Sequence, residues 1–160
     1  MIVVADTSVI LNLCFLGQEP LLPLLFGTVH APPQVEAEFL RLANVDVRFQ
    51  GLVFPGFILR TAPLDRVHAW ALSPVLHSGE IAALSLALEL RADLVLMDEA
   101  EGRAAATALK LTTMGLLGIL LQARQARSDC LGDTLPRSPR AGGPLLDGPV
   151  SAHRHTPCRR

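Results

Sequence analysis

The sequence predicts a three-layer α/β fold with a central, mainly parallel sheet, and two observations support it. Two short apolar runs, Ile2–Ala5 and Leu94–Met97, carry no charge, and an aspartate follows each of them, Asp6 or Asp98. Uninterrupted runs of this kind are typical of strands that are buried on both faces. Segments with helical apolar spacing lie between them, and strands that alternate with helices favour a parallel sheet with helices on both sides.

The first half of the chain predicts short helices between its strands. Thr7 or Ser8 can cap the first helix, because a side-chain oxygen there accepts a hydrogen bond from a free backbone N–H group. Pro33 suits the first turn of a later helix, in which Val35 and Phe39 recur at helical spacing. The predicted elements are helices at about Val9–Phe15 and Gln18–Phe26, strands at Val29–Ala31 and Phe57–Arg60, and the helix from Pro33.

The clearest helix lies in the second half of the chain. Ser78 is its predicted N-cap, and Glu80 falls in its first turn. One apolar stripe runs along it and consists of Ile81, Leu84 and Leu88. The elements predicted after it are a strand at Asp93–Asp98, a helix at about Arg103–Leu109, a strand at Leu111–Met114 and a helix at about Leu116–Ala126.

The composition predicts one folded domain followed by a tail. The 160 residues, half of them apolar, suffice for one hydrophobic core but not for two ordinary domains. Residues 1–126 carry 12 acidic and 8 basic side chains, whereas residues 127–160 carry 3 and 6 and are rich in Pro, Gly, Ser and Arg. We therefore expect a folded domain over residues 1–126 and a disordered tail over residues 127–160.

Cysteine usage and hydropathy bear on the compartment. Three cysteines are an odd number and do not form a disulfide framework, which favours a reducing compartment. Asp6 interrupts the first apolar run, no basic leader precedes it, and no uncharged apolar stretch approaches the roughly 20 residues that span a bilayer. We expect a cytoplasmic protein that does not cross a membrane.

Four acidic residues are expected to converge at one edge of the sheet. Asp6 and Asp98 each follow a buried strand, and the carboxyl ends of parallel strands meet at the same edge. Glu80 starts a helix that leads into the second of these strands, and Glu38 lies on the helix after Pro33. Carboxylates held this close repel one another unless a cation neutralises them, and oxygen ligands suit Mg²⁺ or Mn²⁺. Such sites hydrolyse phosphodiester bonds.

Each acid also has a purely structural interpretation. Asp6 can cap the next helix, and Glu80 can complement the helix dipole. Glu38 can be a solvated side chain on a helix surface, and Asp98 can belong to an acidic surface loop with its neighbours. The order and placement of the four acids together favour the metal site.

Four sequence blocks resemble those of the PIN-domain nucleases. The block Val3–Ser8 resembles the opening strand and first acid of the family, and Val35–Phe39 resembles its second acidic block. The block Gly79–Ala83 is similar to the third, and Leu94–Arg103 is similar to the fourth, in the form of a bacterial and archaeal subfamily. The resemblance covers residues 1–126, and its specificity comes from the ordered set.

The resemblance implies a PIN fold, Mg²⁺ or Mn²⁺ as cofactor, and cleavage of RNA. Many such proteins are toxins of toxin–antitoxin pairs, which form homodimers and are silenced by a small antitoxin protein. Carried over by position, the implied metal ligands and catalytic residues are Asp6, Glu38, Glu80 and Asp98, with Glu101 as a reserve metal ligand.

The chain departs from this subfamily after Ala126. Members of the subfamily continue with further helical, apolar sequence, whereas here Arg-Ser-Asp-Cys follows and then a segment rich in Pro and Arg. A frameshifted or replaced C-terminus would explain the change, and sequencing the locus for an intact alternative frame tests this hypothesis.

Two other functions compete with a nuclease. A phosphatase with an aspartyl nucleophile would also place Asp6 at the end of the first strand, but Ser8 stands where such an enzyme has a second Asp. A catalytically silent PIN-like binding or scaffold protein is the alternative from another class. In the tail, a metal site at His153, His155 and Cys158 would lack a rigid framework, so disorder explains these residues better.

RNA contact requires positive charge, because neutralisation of phosphates provides much of the affinity for nucleic acid. The predicted domain is acidic, and the tail arginines are one source of positive charge. The arginines of the domain that could line an RNA path are Arg41, Arg48, Arg60, Arg66 and Arg103.

Overall fold

The computed structural model describes residues 1–64 and 76–132, with side chains as far as residue 127. Five strands form one parallel sheet in the order β3-β2-β1-β4-β5. The strands are β1 (Val3–Ala5), β2 (Val29–Ala31), β3 (Leu59–Arg60), β4 (Leu94–Leu96) and β5 (Thr113–Met114).

Helices connect the strands within the described residues. They are α1 (Thr7–Phe15), α2 (Leu21–Phe26), α3 (Pro33–Val45), a 3₁₀ helix (Val47–Phe49), α4 (Ser78–Leu90), α5 (Ala100–Ala108) and α6 (Leu116–Gly132). Helix α3 packs against α1 and α4, and α4 packs against β1 and β4. None of these helices is long and apolar enough to cross a membrane, as far as the described residues extend.

The burial of the central strands shows that both faces of the sheet are covered. Val3, Val4 and Ala5 of β1 are fully buried, although neighbouring residues of a strand point to opposite faces. Val95 and Leu96 of β4 are fully buried as well. The predicted three-layer α/β fold with a parallel sheet is therefore confirmed.

The chain order across the sheet changes direction at β1. From β1 the chain continues to β2 and β3 on one side and then returns to β4 and β5 on the other. Strands β1 and β4 pair in register from Val3 and Leu94 to Ala5 and Leu96. A crevice beyond the carboxyl ends of two such strands is where ligands bind in open α/β sheets.

The predicted N-caps of two helices were each wrong by one or two residues. Asp6 caps α1, as its structural interpretation predicted, whereas Thr7 and Ser8 are the first residues of the helix, because β1 ends at Ala5 and the helix begins at once. His77 caps α4, and Ser78 is its first helical residue, because the backbone turns into the helix after the extended His77.

Helix α6 extends six residues beyond its predicted end at Ala126, to Gly132. The fold divides into two compact units, Met1–Ala123 and a second that begins at Arg124. The described residues of the second unit, 124–132, are all helical. The disorder predicted from residue 127 stays a prediction for residues 133–160, which lie outside the described residues together with His153, His155 and Cys158. Arg66 lies outside them as well.

Candidate active site

Asp6 stands where β1 ends and α1 begins. Its N–H donates to the Leu96 carbonyl at 2.9 Å, which extends the pairing of β1 with β4. Its Oδ2 accepts hydrogen bonds from the N–H of Ser8 at 3.3 Å and from the Ser8 hydroxyl at 3.0 Å. The residue is 2% exposed, and its Oδ1 is buried without a hydrogen-bond partner among the described residues. Capping therefore occupies only one of its two carboxylate oxygens.

Burial raises the pKa of Asp6 from 3.8 to about 6. The negative charge of Glu80 raises this pKa further, whereas the hydrogen bonds from Thr7 and Ser8 lower it. The sequence thus places an acid where its ionised form is poorly solvated, and a cation beside the free Oδ1 would stabilise that form.

Glu80 repeats this arrangement on α4. It is 3% exposed, and its Oε2 accepts a hydrogen bond from the His77 N–H at 2.8 Å. The Nδ1 atom of His77 lies 3.3 Å from the same oxygen. Its other oxygen, Oε1, is buried and has no hydrogen-bond partner among the described residues. A Cβ atom at Gly102 would lie 2.6 Å from this oxygen, so a glycine there lets α5 approach the carboxylate.

Glu38 reaches the same place from α3. Its Oε2 accepts a hydrogen bond from the Thr7 hydroxyl at 3.0 Å, and its side chain is 21% exposed. A Cβ atom at Gly79 would clash with Glu38 Oε2, so the glycine at the start of α4 allows α3 and α4 to come together here. Arg41, one helical turn later, has its Nη2 at 3.9 Å from Glu38 Oε1.

Sequence reasoning did not propose Glu99 for the site, but its carboxylate lies there. Burial and the charge of Glu80 raise the pKa of Glu99, Glu38 and Glu101 add smaller effects in the same direction, and His77 lowers it. Ligand atoms of His77, Glu80 and Glu99 lie within 4.8 Å of one another. The signal in the sequence was the position of Glu99, directly after Asp98 at the end of the second buried run.

The structure places Asp98 close to Asp6 through its backbone, and its carboxylate bonds elsewhere. The N–H of Asp98 donates to the Ser8 hydroxyl at 3.4 Å, while its Oδ1 accepts a hydrogen bond from the Leu116 N–H at 3.3 Å. Glu101 is exposed in the first turn of α5. Neither carboxylate lines the pocket described next.

One pocket of about 250 Å³ collects the acids at the carboxyl ends of β1 and β4. Its only basic side chains among the described residues are His77 and Arg48, and Arg48 already forms an ion pair with Asp46 at 2.6 Å. The pocket is lined by Asp6, Thr7, Ser8, Leu11, Asn12, Glu38, Leu42, Arg48, Phe49, His77, Glu80 and Glu99. Four carboxylates therefore lie around one pocket, and such a set of groups suits a positively charged ligand.

The donor set fits a hard divalent cation. Carboxylate oxygens are the ligands that Mg²⁺ and Mn²⁺ prefer. Two oxygens of the pocket, Asp6 Oδ1 and Glu80 Oε1, are buried with no donor among the described residues. Buried polar atoms are normally satisfied, so a ligand that accepts their lone pairs accounts for both.

The fold and the site define an α/β protein with a carboxylate site at the point where the strand order reverses. The sequence matches the family model described as PIN domain over residues 2–128, and the chain belongs to the PIN domain family. This match confirms the predicted family and its nuclease-type fold. PIN domains are generally nucleases that use divalent metals. No curated protein matches the chain.

Proposed function

We propose that this protein is a metal-dependent endoribonuclease that hydrolyses phosphodiester bonds in RNA. The observation that carries the proposal is the pair of buried, unpartnered oxygens, Asp6 Oδ1 and Glu80 Oε1, in a pocket that also contains Glu38. A buried oxygen without a hydrogen-bond partner costs about 1–3 kcal/mol, and a metal ion bound by both acids would offset that cost.

The proposed metal ligands are Asp6, Glu38, Glu80 and Asp98, and Glu99 and Glu101 are further carboxylates of the same edge. Asp98 is included because it follows β4 as Asp6 follows β1, and its backbone N–H donates to the Ser8 hydroxyl that also bonds Asp6. These carboxylates would hold a divalent cation, which would supply Lewis acidity and make bound water more acidic at neutral pH.

The chain's own residues prepare the carboxylates. The Ser8 hydroxyl donates a hydrogen bond to one oxygen of Asp6, and the Thr7 hydroxyl donates one to an oxygen of Glu38. The second oxygen of each carboxylate does not take part in these bonds. The His77 N–H does the same for Glu80. These bonds preorganise the site, and substrate binding then requires little rearrangement of the protein.

A cleavage assay tests the proposal directly. Purified protein is incubated with single-stranded RNA in Mg²⁺ or Mn²⁺ and in excess chelator, and the products are separated on a denaturing gel. We expect cleavage that depends on the metal and is lost in Asp6→Asn. Cleavage by Asp6→Asn at the rate of the unmodified protein would refute the role of the acid pocket.

A thermal melt in Mn²⁺ tests metal binding independently of turnover. A ligand that binds only the folded protein stabilises it by about 2.7 kcal/mol at a concentration 100 times its Kd. We expect a higher Tm in Mn²⁺ and no such increase in Asp6→Asn. An unchanged Tm combined with no cleavage would favour a catalytically silent binding protein, and turnover of small phosphate esters without RNA cleavage would favour a phosphatase.

We further propose that the protein acts in the cytoplasm as the toxin of a toxin–antitoxin pair, with a small antitoxin protein as partner and a homodimer as the active form. The support is the resemblance of the four acidic blocks to that subfamily. An upstream reading frame for a small DNA-binding protein, whose co-expression relieves growth arrest, is the expected observation. Growth that is unaffected by expression of this chain alone would contradict the toxin role.

A further inference from the structure

A second pocket of about 360 Å³ adjoins the acid pocket, on the other side of Glu38 and His77. It lies between α3 and α4, and its lining contains Arg41 and Gln34 from α3 and Ser78 from α4. Glu38 and His77 line both pockets. The two pockets are therefore neighbours that share these two side chains.

Arg41 differs from the other arginines near the two pockets. Arg48 donates three hydrogen bonds to Asp46 and Arg60 donates two to Glu36, so Nε and Nη2 of both arginines are engaged. Arg41 is 62% exposed, and its nearest carboxylate oxygen, on Glu38, lies 3.9 Å away. That distance leaves the guanidinium group without a direct hydrogen bond to Glu38, so its donors remain available for a phosphate.

Gln34 adds a second recognition group to this pocket. Its Oε1 is buried and lacks a hydrogen-bond partner among the residues that the structure describes. Inorganic phosphate offers only an anion for Arg41, whereas a nucleotide offers phosphate oxygens for Arg41 together with sugar and base groups that can hydrogen-bond the amide of Gln34. The two groups together match a nucleotide better than a simple anion.

We propose that the pocket between α3 and α4 binds the nucleotide next to the scissile bond, with Arg41 contacting its phosphate. This inference rests on the proposed ribonuclease function, because it takes single-stranded RNA as the substrate. Arg41 then supplies positive charge for RNA beside the acid pocket.

The test compares Arg41→Gln with Arg91→Gln. Both variants lose one positive charge, but Arg91 is the C-cap of α4, about 20 Å along the helix from Ser78. Binding of a short fluorescent single-stranded RNA is measured by anisotropy at several salt concentrations, in the presence of Mn²⁺. All variants carry Asp6→Asn so that no cleavage occurs, and Arg41→Lys reports whether charge alone restores binding.

We expect Arg41→Gln to bind RNA about tenfold more weakly and to reduce the slope of log affinity against log salt by about 0.7, the value for one phosphate contact on a single strand. Arg91→Gln should stay within about twofold, because an exposed charge beyond a Debye length is largely screened. Arg41→Lys should recover part of the loss, because the ammonium group keeps the charge but not the fork of donors.

Cleavage kinetics in the Asp6-containing protein separate a phosphate contact from an effect through Glu38. A rise in KM with little change in kcat for Arg41→Gln supports the proposal. A fall in kcat with unchanged KM, or equal RNA affinities for Arg41→Gln and Arg91→Gln, overturns it. If Arg41→Gln loses RNA affinity and Arg91→Gln does not, the subsite is upheld, even if the unmodified protein does not cleave RNA. Absence of cleavage would then contradict only the proposed ribonuclease function.

Discussion

The acidic side chains of this protein fall into two regions with opposite surroundings. On the outer surface, Glu36 accepts two hydrogen bonds from Arg60 and Asp46 accepts three from Arg48, and these contacts lower the pKa of both acids. In the acid pocket, Asp6 and Glu80 are nearly inaccessible to water, and each keeps a buried oxygen without a partner.

The difference teaches that basic side chains of the fold neutralise the outer acids, whereas Asp6 and Glu80 each keep one buried oxygen for which the described residues provide no donor. Glu36 and Glu38 make the contrast within one helix, since both lie on α3 two residues apart. Glu36 bonds Arg60, while Glu38 bonds a hydroxyl and borders both pockets. Paired substitutions in the two regions test whether this division holds.

The largest expected effect is on cleavage. Asp6→Asn should lower kcat at least about a thousandfold, because it removes a charged ligand from the group that stabilises the transition state. Glu36→Gln is the matched control and should cleave RNA within about twofold of the unmodified protein, since its carboxylate is already paired at the surface. Steady-state cleavage assays measure both, and equal losses in the two variants would remove the distinction between the regions.

The second prediction concerns stability without metal. The pKa of Asp6 is raised to about 6 in the folded protein, so the folded state holds its proton at a pH where the unfolded chain has lost it. Stability therefore falls as pH rises from about 4 to about 6, by up to about 3 kcal/mol, and stays lower above that range.

Asp6→Asn should avoid this loss, because Asn also caps helices and carries no charge. In excess chelator its Tm should exceed that of the unmodified protein at pH 7, and the difference should shrink towards pH 4. Added Mn²⁺ should reverse the order. A Tm difference that does not vary with pH would show that Asp6 is not destabilised by burial.

The third prediction separates the structural and chemical roles of Asp98. Asn can still accept the hydrogen bond from the Leu116 N–H, so Asp98→Asn should melt within about 2 °C of the unmodified protein. Its cleavage rate should fall about tenfold or more, because the charge at the carboxyl end of β4 is lost. Full activity in Asp98→Asn, together with a loss in Glu99→Gln, would transfer the fourth ligand position to Glu99.

The smallest expected effect concerns the outer ion pair. Arg60→Gln should lower the Tm by no more than about 3 °C, and added salt should reduce the difference. The pKa of Glu36 is lowered by Arg60, so the contribution of this pair is present at neutral pH and is lost as pH falls. Thermal melts at neutral and acidic pH, with and without salt, measure this contribution. A loss of stability larger than the one predicted for Asp6 would contradict the contrast between the outer acids and the pocket acids.

Much of the site was predictable because its acids occur at the ends of elements that the sequence marks clearly. Asp6 and Asp98 terminate buried apolar runs, and Glu80 starts a helix with an apolar stripe. The sequence did not predict which of the two acids after β4 lines the pocket. Asp98 and Glu99 are adjacent acids, and the choice between them depends on the Leu116 N–H, which bonds Asp98 from a helix 18 residues later.

The sequence by itself determined the alternation of strands and helices, the family, and Asp6, Glu38 and Glu80 as candidate site acids, because apolar periodicity and acids at the ends of elements are local patterns. The tertiary structure decided which oxygens are satisfied and which remain free, and how α3 and α4 form the second pocket. The physical reason is that hydrogen-bond partners and burial depend on contacts between segments far apart in the chain. The glycines at positions 79 and 102 show it, since each admits a carboxylate from another helix.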